Sequence, residues 1–224
     1  ELCKKVMRLL GEDELDADVC NKAFSILINL AQDQHYVAEC IELNVARRVF
    51  DYLMKNVKPD QSQKASAAEI VEDQKTEEGG TTKIYTVDTA NATPVQSALM
   101  FLTNMSILEH GQKHLLGEGK TKGAIVENLG GMFNFFRTNP TFDFVSNILA
   151  NVSALKEGRR FIIENELLKQ IIDIALDREK TNAHRRKQLL ACLRNVCFEY
   201  EDYEADFVQL DLLPVLVKLL VQEQ

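Results

Sequence analysis

The 224-residue sequence has no tryptophan, only four prolines, and no apolar run approaching the length of a membrane-spanning helix. A bilayer crossing needs about 20 predominantly apolar residues, so no membrane partner is expected. The N-terminal Glu1-Leu2-Cys3-Lys4-Lys5 lacks the charged-then-apolar order of a secretory signal. Cysteines number five, an odd count, and none stands in a Cys-x-x-Cys pair. That argues against a disulfide framework. Each cysteine sits in or beside an apolar helical pattern, where a free thiol behaves as a small hydrophobe. The set fits a reducing, cytoplasmic location. An excess of positive charge is also missing: 26 Lys and Arg against 34 Asp and Glu leave a net charge of −8. A nucleic-acid partner is therefore not expected.

Apolar residues at 46% and charged residues at 27% are an ordinary balance. The informative signal is repetition. Leu-x-Asn-apolar ends four amphipathic runs: Leu27-Ile28-Asn29-Leu30, Leu102-Thr103-Asn104-Met105, Leu149-Ala150-Asn151-Val152 and Leu193-Arg194-Asn195-Val196. The asparagines lie 75, 47 and 44 residues apart. The last two spacings match the ~40–47-residue period of armadillo and HEAT units, and an insertion accounts for the first. A second pattern recurs downstream of these copies, as in Ile41-Glu42-Leu43-Asn44-Val45, Ile163-Glu164-Asn165-Glu166-Leu167 and Val208-Gln209-Leu210-Asp211-Leu212. The shared order is a short helix, a bend at a small polar residue, an apolar helix, then the Leu-x-Asn helix. Apolar residues at i, i+3, i+4 and i+7 give each helix a stripe that only stacked neighbours can bury. The expected fold is all-α, an armadillo/HEAT-like right-handed superhelical solenoid of about five repeats. It forms a single unit over residues 1–224, with the first and last repeats incomplete, as in a piece of a longer protein.

Several local signals support the register. Thr93-Pro94 and Asn139-Pro140 place a capping residue before a proline whose missing N–H costs nothing there. Asp16 and Asp18 precede the run from Val19 to Leu30 in the same role. Arg185 to Lys187 open the last Leu-x-Asn helix, the unfavourable end for positive charge. Residues 56–93 carry Pro59, Gly79-Gly80 and many polar residues with little apolar periodicity, and are expected to be a mobile insertion within the second repeat. Within it, Lys83-Ile84-Tyr85-Thr86-Val87 alternates like a strand.

Catalytic and cofactor motifs fail in their details. Gly119-Lys120-Thr121 echoes the end of a phosphate-binding loop, but that pattern requires glycine where His114 stands. His110 and His114 are four apart, yet Gly111 weakens a helix there and no glutamate follows His110, so no metal is expected. Asn104-Met105-Ser106 and Asn151-Val152-Ser153 match the glycosylation triplet but lie inside repeat helices. No serine or cysteine is grouped with a histidine and a carboxylate. The chain is expected to be non-enzymatic and to need no cofactor.

Two sets of residues are candidates for holding a protein partner. Asn29, Asn104, Asn151 and Asn195 form a ladder on the helices expected to line the groove. An amide offers both donor and acceptor, so it suits any peptide backbone; it suits neighbouring helix ends equally well, and both roles remain open. Arg159, Arg160, Arg185, Arg186 and Lys187 form a basic set in an acidic chain. Importin-type grooves place a tryptophan one turn before each asparagine, where this chain has Ser25, Met100, Asn147 and Ala191. Lysine stems would find no aromatic slots, so nuclear-signal binding is not expected.

Three runs carry a more specific resemblance. The segment from Val95 to Ser106 resembles a signature of the eukaryotic Hgh family, also called brain protein 16. So do Ile148-Leu149-Ala150-Asn151-Val152-Ser153 with Glu157-Gly158-Arg159-Arg160-Phe161, and Leu193-Arg194-Asn195-Val196-Cys197-Phe198-Glu199. The likeness spans residues 23–207, and the 56–93 insertion departs from it. It implies a cytosolic chaperone adaptor that brings elongation factor 2 to the ring-shaped chaperonin and assists its folding.

Overall fold

Helix follows helix along most of the described residues. The computed structural model describes residues 2–10, 16–59, 85–87, 91–119, 122–136, 139–165, 167–179 and 181–221. The helices are α1 (Leu2–Leu9), α2 (Ala17–Leu30), α3 (Gln34–Glu42), α4 (Val45–Asn56), α5 (Ala92–Ser106), α6 (Glu109–Leu116) and α7 (Ala124–Phe135). They continue with α8 (Asp143–Val152), α9 (Lys156–Glu164), α10 (Leu167–Leu176), α11 (Ala183–Val196), α12 (Tyr200–Gln209) and α13 (Leu212–Val221). The four Leu-x-Asn segments end α2, α5, α8 and α11. These four helices form the spine: α2 lies against α5, α5 against α8, and α8 against α11. Between them stand helix pairs α3–α4, α6–α7 and α9–α10, each packed on its neighbours.

The bends inside these pairs follow from residue type. Asn44 before α4 and Asp211 before α13 adopt left-handed backbone, with φ of 53° and 49°. Short polar side chains tolerate that conformation better than other non-glycine residues. Gly123 before α7 does the same with φ of 79°. At Asn44 and Asp211 the small polar residue of the sequence pattern is thus a backbone requirement.

Helix starts agree in part with expectation. Asp16 accepts from the Asp18 N–H at 2.8 Å, and Asn139 accepts from Thr141 N–H at 3.0 Å. Thr93 is not a cap: α5 starts earlier, at Ala92 after Asn91. Pro94 then falls in the first turn, where its missing N–H has no intrahelical partner to lose. Gly111 does not interrupt α6, which runs through it.

The all-α expectation needs one amendment. Strand β1 (Val57–Pro59) pairs antiparallel with β2 (Tyr85–Val87), in the register Val57↔Val87, Lys58↔Thr86 and Pro59↔Tyr85. The alternating run ending at Val87 therefore has a partner, and Val57 is fully buried beneath the pairing. The rest of the insertion, residues 60–84 and 88–90, lies outside the described residues, as do Lys120 and Thr121.

The core is continuous from Cys3 to Leu219. Phe24, Leu27, Leu99, Phe101, Leu102, Phe133 and Phe142 are among its largest fully buried side chains. Cys3, Cys20, Cys40 and Cys192 are buried free thiols, and Cys197 is half-buried. Desolvation pushes the Cys192 thiol up to about 12. No helix among the described residues is long and apolar enough to cross a membrane.

Candidate functional site

The asparagines of the spine bind the preceding spine helix. Asn104 Nδ2 donates to the carbonyl oxygen of Ile28 at 3.2 Å. Asn151 Nδ2 donates to Ser106 Oγ at 2.8 Å, and Asn195 Nδ2 donates to Ser153 Oγ at 3.0 Å. Each serine in turn donates to a carbonyl of its own helix, Ser106 to Thr103 and Ser153 to Ala150, both at 2.7 Å. The Asn-x-Ser triplets are therefore a stitch between successive helices. Asn104 uses a backbone carbonyl because Ala31 stands where the serine would be. Asn29 begins the ladder and is exposed. In the half-buried Asn104, Asn151 and Asn195, this stitch uses one amide N–H.

A second spacing becomes legible only beside the structure. Gly111 and Gly158 each lie seven residues after a ladder asparagine. A Cβ on Gly111 would sit 1.9 Å from Met105 O, and one on Gly158 would sit 2.1 Å from Val152 O. Each glycine lets a short helix press on the end of the spine helix before it. An Asn-x6-Gly pattern repeated at a 47-residue interval is the signal in the sequence that could have found them.

The five basic candidates divide by environment. Arg185 is 0% exposed and so is no part of a surface patch. Its Nη1 donates to Phe136 O at 3.0 Å, Nη2 donates to Asn139 O, and Nε pairs with Asp143. The guanidinium also lies 4.9 Å from the Phe133 ring centroid. Asn182 caps the same turn, accepting from Arg185 N–H at 2.9 Å while its Nδ2 donates to Asp143 at 3.0 Å. Asp143 sits in the first turn of α8, a favourable end for a carboxylate. That pairing removes the mismatch of a cation in the first turn of α11. Arg186 is half-buried and Lys187 exposed.

Arg159 and Arg160, on α9, meet the 3₁₀ turn Cys197–Glu199 that follows α11. Arg159 Nε lies 2.8 Å from Glu199 Oε1, and its Nη1 donates to Ala154 O at 2.8 Å. Arg160 Nε donates to Glu199 Oε2 at 3.3 Å and its Nη2 pairs with Asp202. Burial alone would raise the Glu199 carboxyl, but the two arginines outweigh it and hold the group below the usual carboxylate range. The Arg159 guanidinium also lies 5.8 Å from the Phe198 ring centroid. Phe198 itself is 75% exposed. Ile107 stands at the same place after Asn104 as Phe198 does after Asn195, and it is 63% exposed. Neither residue is among the sequence candidates, because an apolar residue beside a helix end reads as core.

Residues 85–224 match the family model described as "Domain of unknown function (DUF383)". The chain is also 25% identical over 211 residues to the "Protein HGH1 homolog" of Dictyostelium discoideum. That likeness covers 90% of this chain and 48% of the relative, so the chain spans about half the relative's length.

Proposed function

Because this chain belongs to the Hgh family and carries the DUF383 domain, we propose that it is a non-enzymatic protein-binding adaptor. It links newly made elongation factor 2 to the cytosolic chaperonin in the cytoplasm. The helix triplets are armadillo-type repeats of a right-handed solenoid, and the spine helices with their asparagines line its groove. A preformed surface of this kind lets an unfinished client dock at little ordering cost to the adaptor.

The observation that carries the reading is the meeting of two runs that mark the family resemblance. Arg159 and Arg160 of one hold Glu199 of the other, and Phe198 beside them stays exposed. An exposed aromatic ring beside a buried ion pair is a suitable anchor for another protein. The test is capture of partners from cell lysate on the full-length chain, with Phe198→Ser as the variant. Elongation factor 2 and chaperonin subunits are expected with the native chain and depleted with the variant at unchanged Tm. Repeated capture of a different dominant partner would identify a general assembly or transport scaffold instead.

A further inference from the structure

A cavity of about 540 Å³ opens where α3 and α4 approach α6 and α7. Arg47 lines it from α4, and His110, Lys113 and His114 line it from α6. Ile41, Leu115 and Ile125 form an apolar part of the wall. The volume falls within the ~300–1,000 Å³ of small-ligand sites. Two cations in one concavity are notable in a chain of net charge −8.

The cations are held loosely. Arg47 Nε pairs with Asp51 at 3.0 Å and Lys113 Nζ with Glu109 at 2.6 Å, both as exposed pairs one helical turn apart. Such pairs contribute little to stability, so redirecting them to an incoming anion costs little. His110 lines the wall beside Lys113, but its Nε2 is too enclosed for a molecule in the cavity to touch. His114 is half-buried, and desolvation lowers its pKa, favouring the neutral ring. Glu118, the acidic residue of the wall, is itself engaged by another interaction within the chain.

We propose that this cavity binds a phosphate monoester carried on a compact apolar body. Arg47 and Lys113 meet the phosphate charge, and Ile41, Leu115 and Ile125 cover the body. A carboxylate has two oxygens to offer, whereas a phosphate has three free ones for donors arriving from two helices. The phosphate can belong to a free small molecule or to a phosphorylated side chain of another protein.

Calorimetric titration with phenyl phosphate, inorganic phosphate and a phosphotyrosine peptide tests this, with phenol and the unphosphorylated peptide as controls. Phenyl phosphate or the phosphopeptide is expected to bind, and the controls are not. Binding of phenyl phosphate marks a small-molecule site, and binding of the phosphopeptide alone marks a side-chain site. Arg47→Gln and Lys113→Gln are each expected to weaken binding at least tenfold without shifting Tm, since both side chains are about half exposed. Absence of heat with both phosphorylated probes would overturn the proposal. So would unchanged affinity in both variants, or equal affinity for inorganic and phenyl phosphate. These outcomes are independent of whether the full-length chain captures elongation factor 2.

Discussion

Arg159 crosses 40 residues of sequence to bring its guanidinium within 2.8 Å of the Glu199 carboxylate. One end of that contact is on α9 and the other just beyond α11, so the pair ties the start of the α9–α11 run to its exit. Glu199 is nearly buried and Arg159 mostly so. Removing one partner strands the other's charge in a poorly solvated place.

Glu199→Gln is accordingly expected to lower stability at pH 7 by about 2 kcal/mol, less than a fully buried pair because Arg159 keeps its bond to Ala154. The folded-state pKa of Glu199 is depressed, so its contribution is present above the unfolded value of roughly 4.3. It is lost as pH falls through the folded value. Urea unfolding of both proteins at pH 7 and in steps down to about pH 3 should show the gap between them closing in acid. A gap independent of pH would refute the ionic origin.

Arg185→Lys is expected to destabilise by about 3 kcal/mol, although charge is conserved. An ammonium is a point charge and cannot serve Asp143, Phe136 O and Asn139 O in the planar arrangement that Arg185 does. Equilibrium denaturation measures the loss. A variant within about 1 kcal/mol of the native chain would show that water replaces the missing bonds.

Gly158→Ala should lower Tm even though alanine is the better helix former by about 1 kcal/mol. The added methyl group would meet Val152 O, a backbone atom that cannot rotate away. The expected net loss is about 1–3 kcal/mol, with the same sign at Gly111. Thermal melts of the two variants decide it, and a rise in Tm would contradict the close approach.

The stitch between Asn151 and Ser106 should behave as a unit. Asn151→Ala and Ser106→Ala are each expected to cost about 1 kcal/mol. The double variant should cost less than both together, by about 0.5 kcal/mol or more. Client capture by Asn104→Ala and Asn151→Ala is the companion measurement. Binding reduced by more than the stability loss explains assigns the amides to the groove as well as to the spine.

Much of the helical order is legible in the sequence because apolar periodicity and the Leu-x-Asn ending are local signals. The bends are legible for the same reason, since Asn44 and Asp211 advertise the left-handed backbone they adopt. Relations across space are not. Arg185 reads as surface charge because Asp143 lies 42 residues away. Gly111 reads as a helix weakness because the carbonyl it makes room for belongs to another helix. Tyr85–Val87 alternates like a strand, but its partner Val57–Pro59 lies across the whole insertion. Ser106 and Ser153 read as members of a glycosylation triplet, although their spacing from Asn151 and Asn195 carries the stitch.

The pairing of Pro59 with Tyr85 makes the insertion a natural graft point. Opposed Cα atoms of an antiparallel pair stand about 4.5–5.5 Å apart, so whatever joins them leaves and re-enters the fold through one doorway. Shortening the 25 residues between them to a tight turn alters closure entropy only logarithmically. A fluorescent or affinity module with adjacent termini could be spliced there, reporting on the helical fold without parting any pair of its helices.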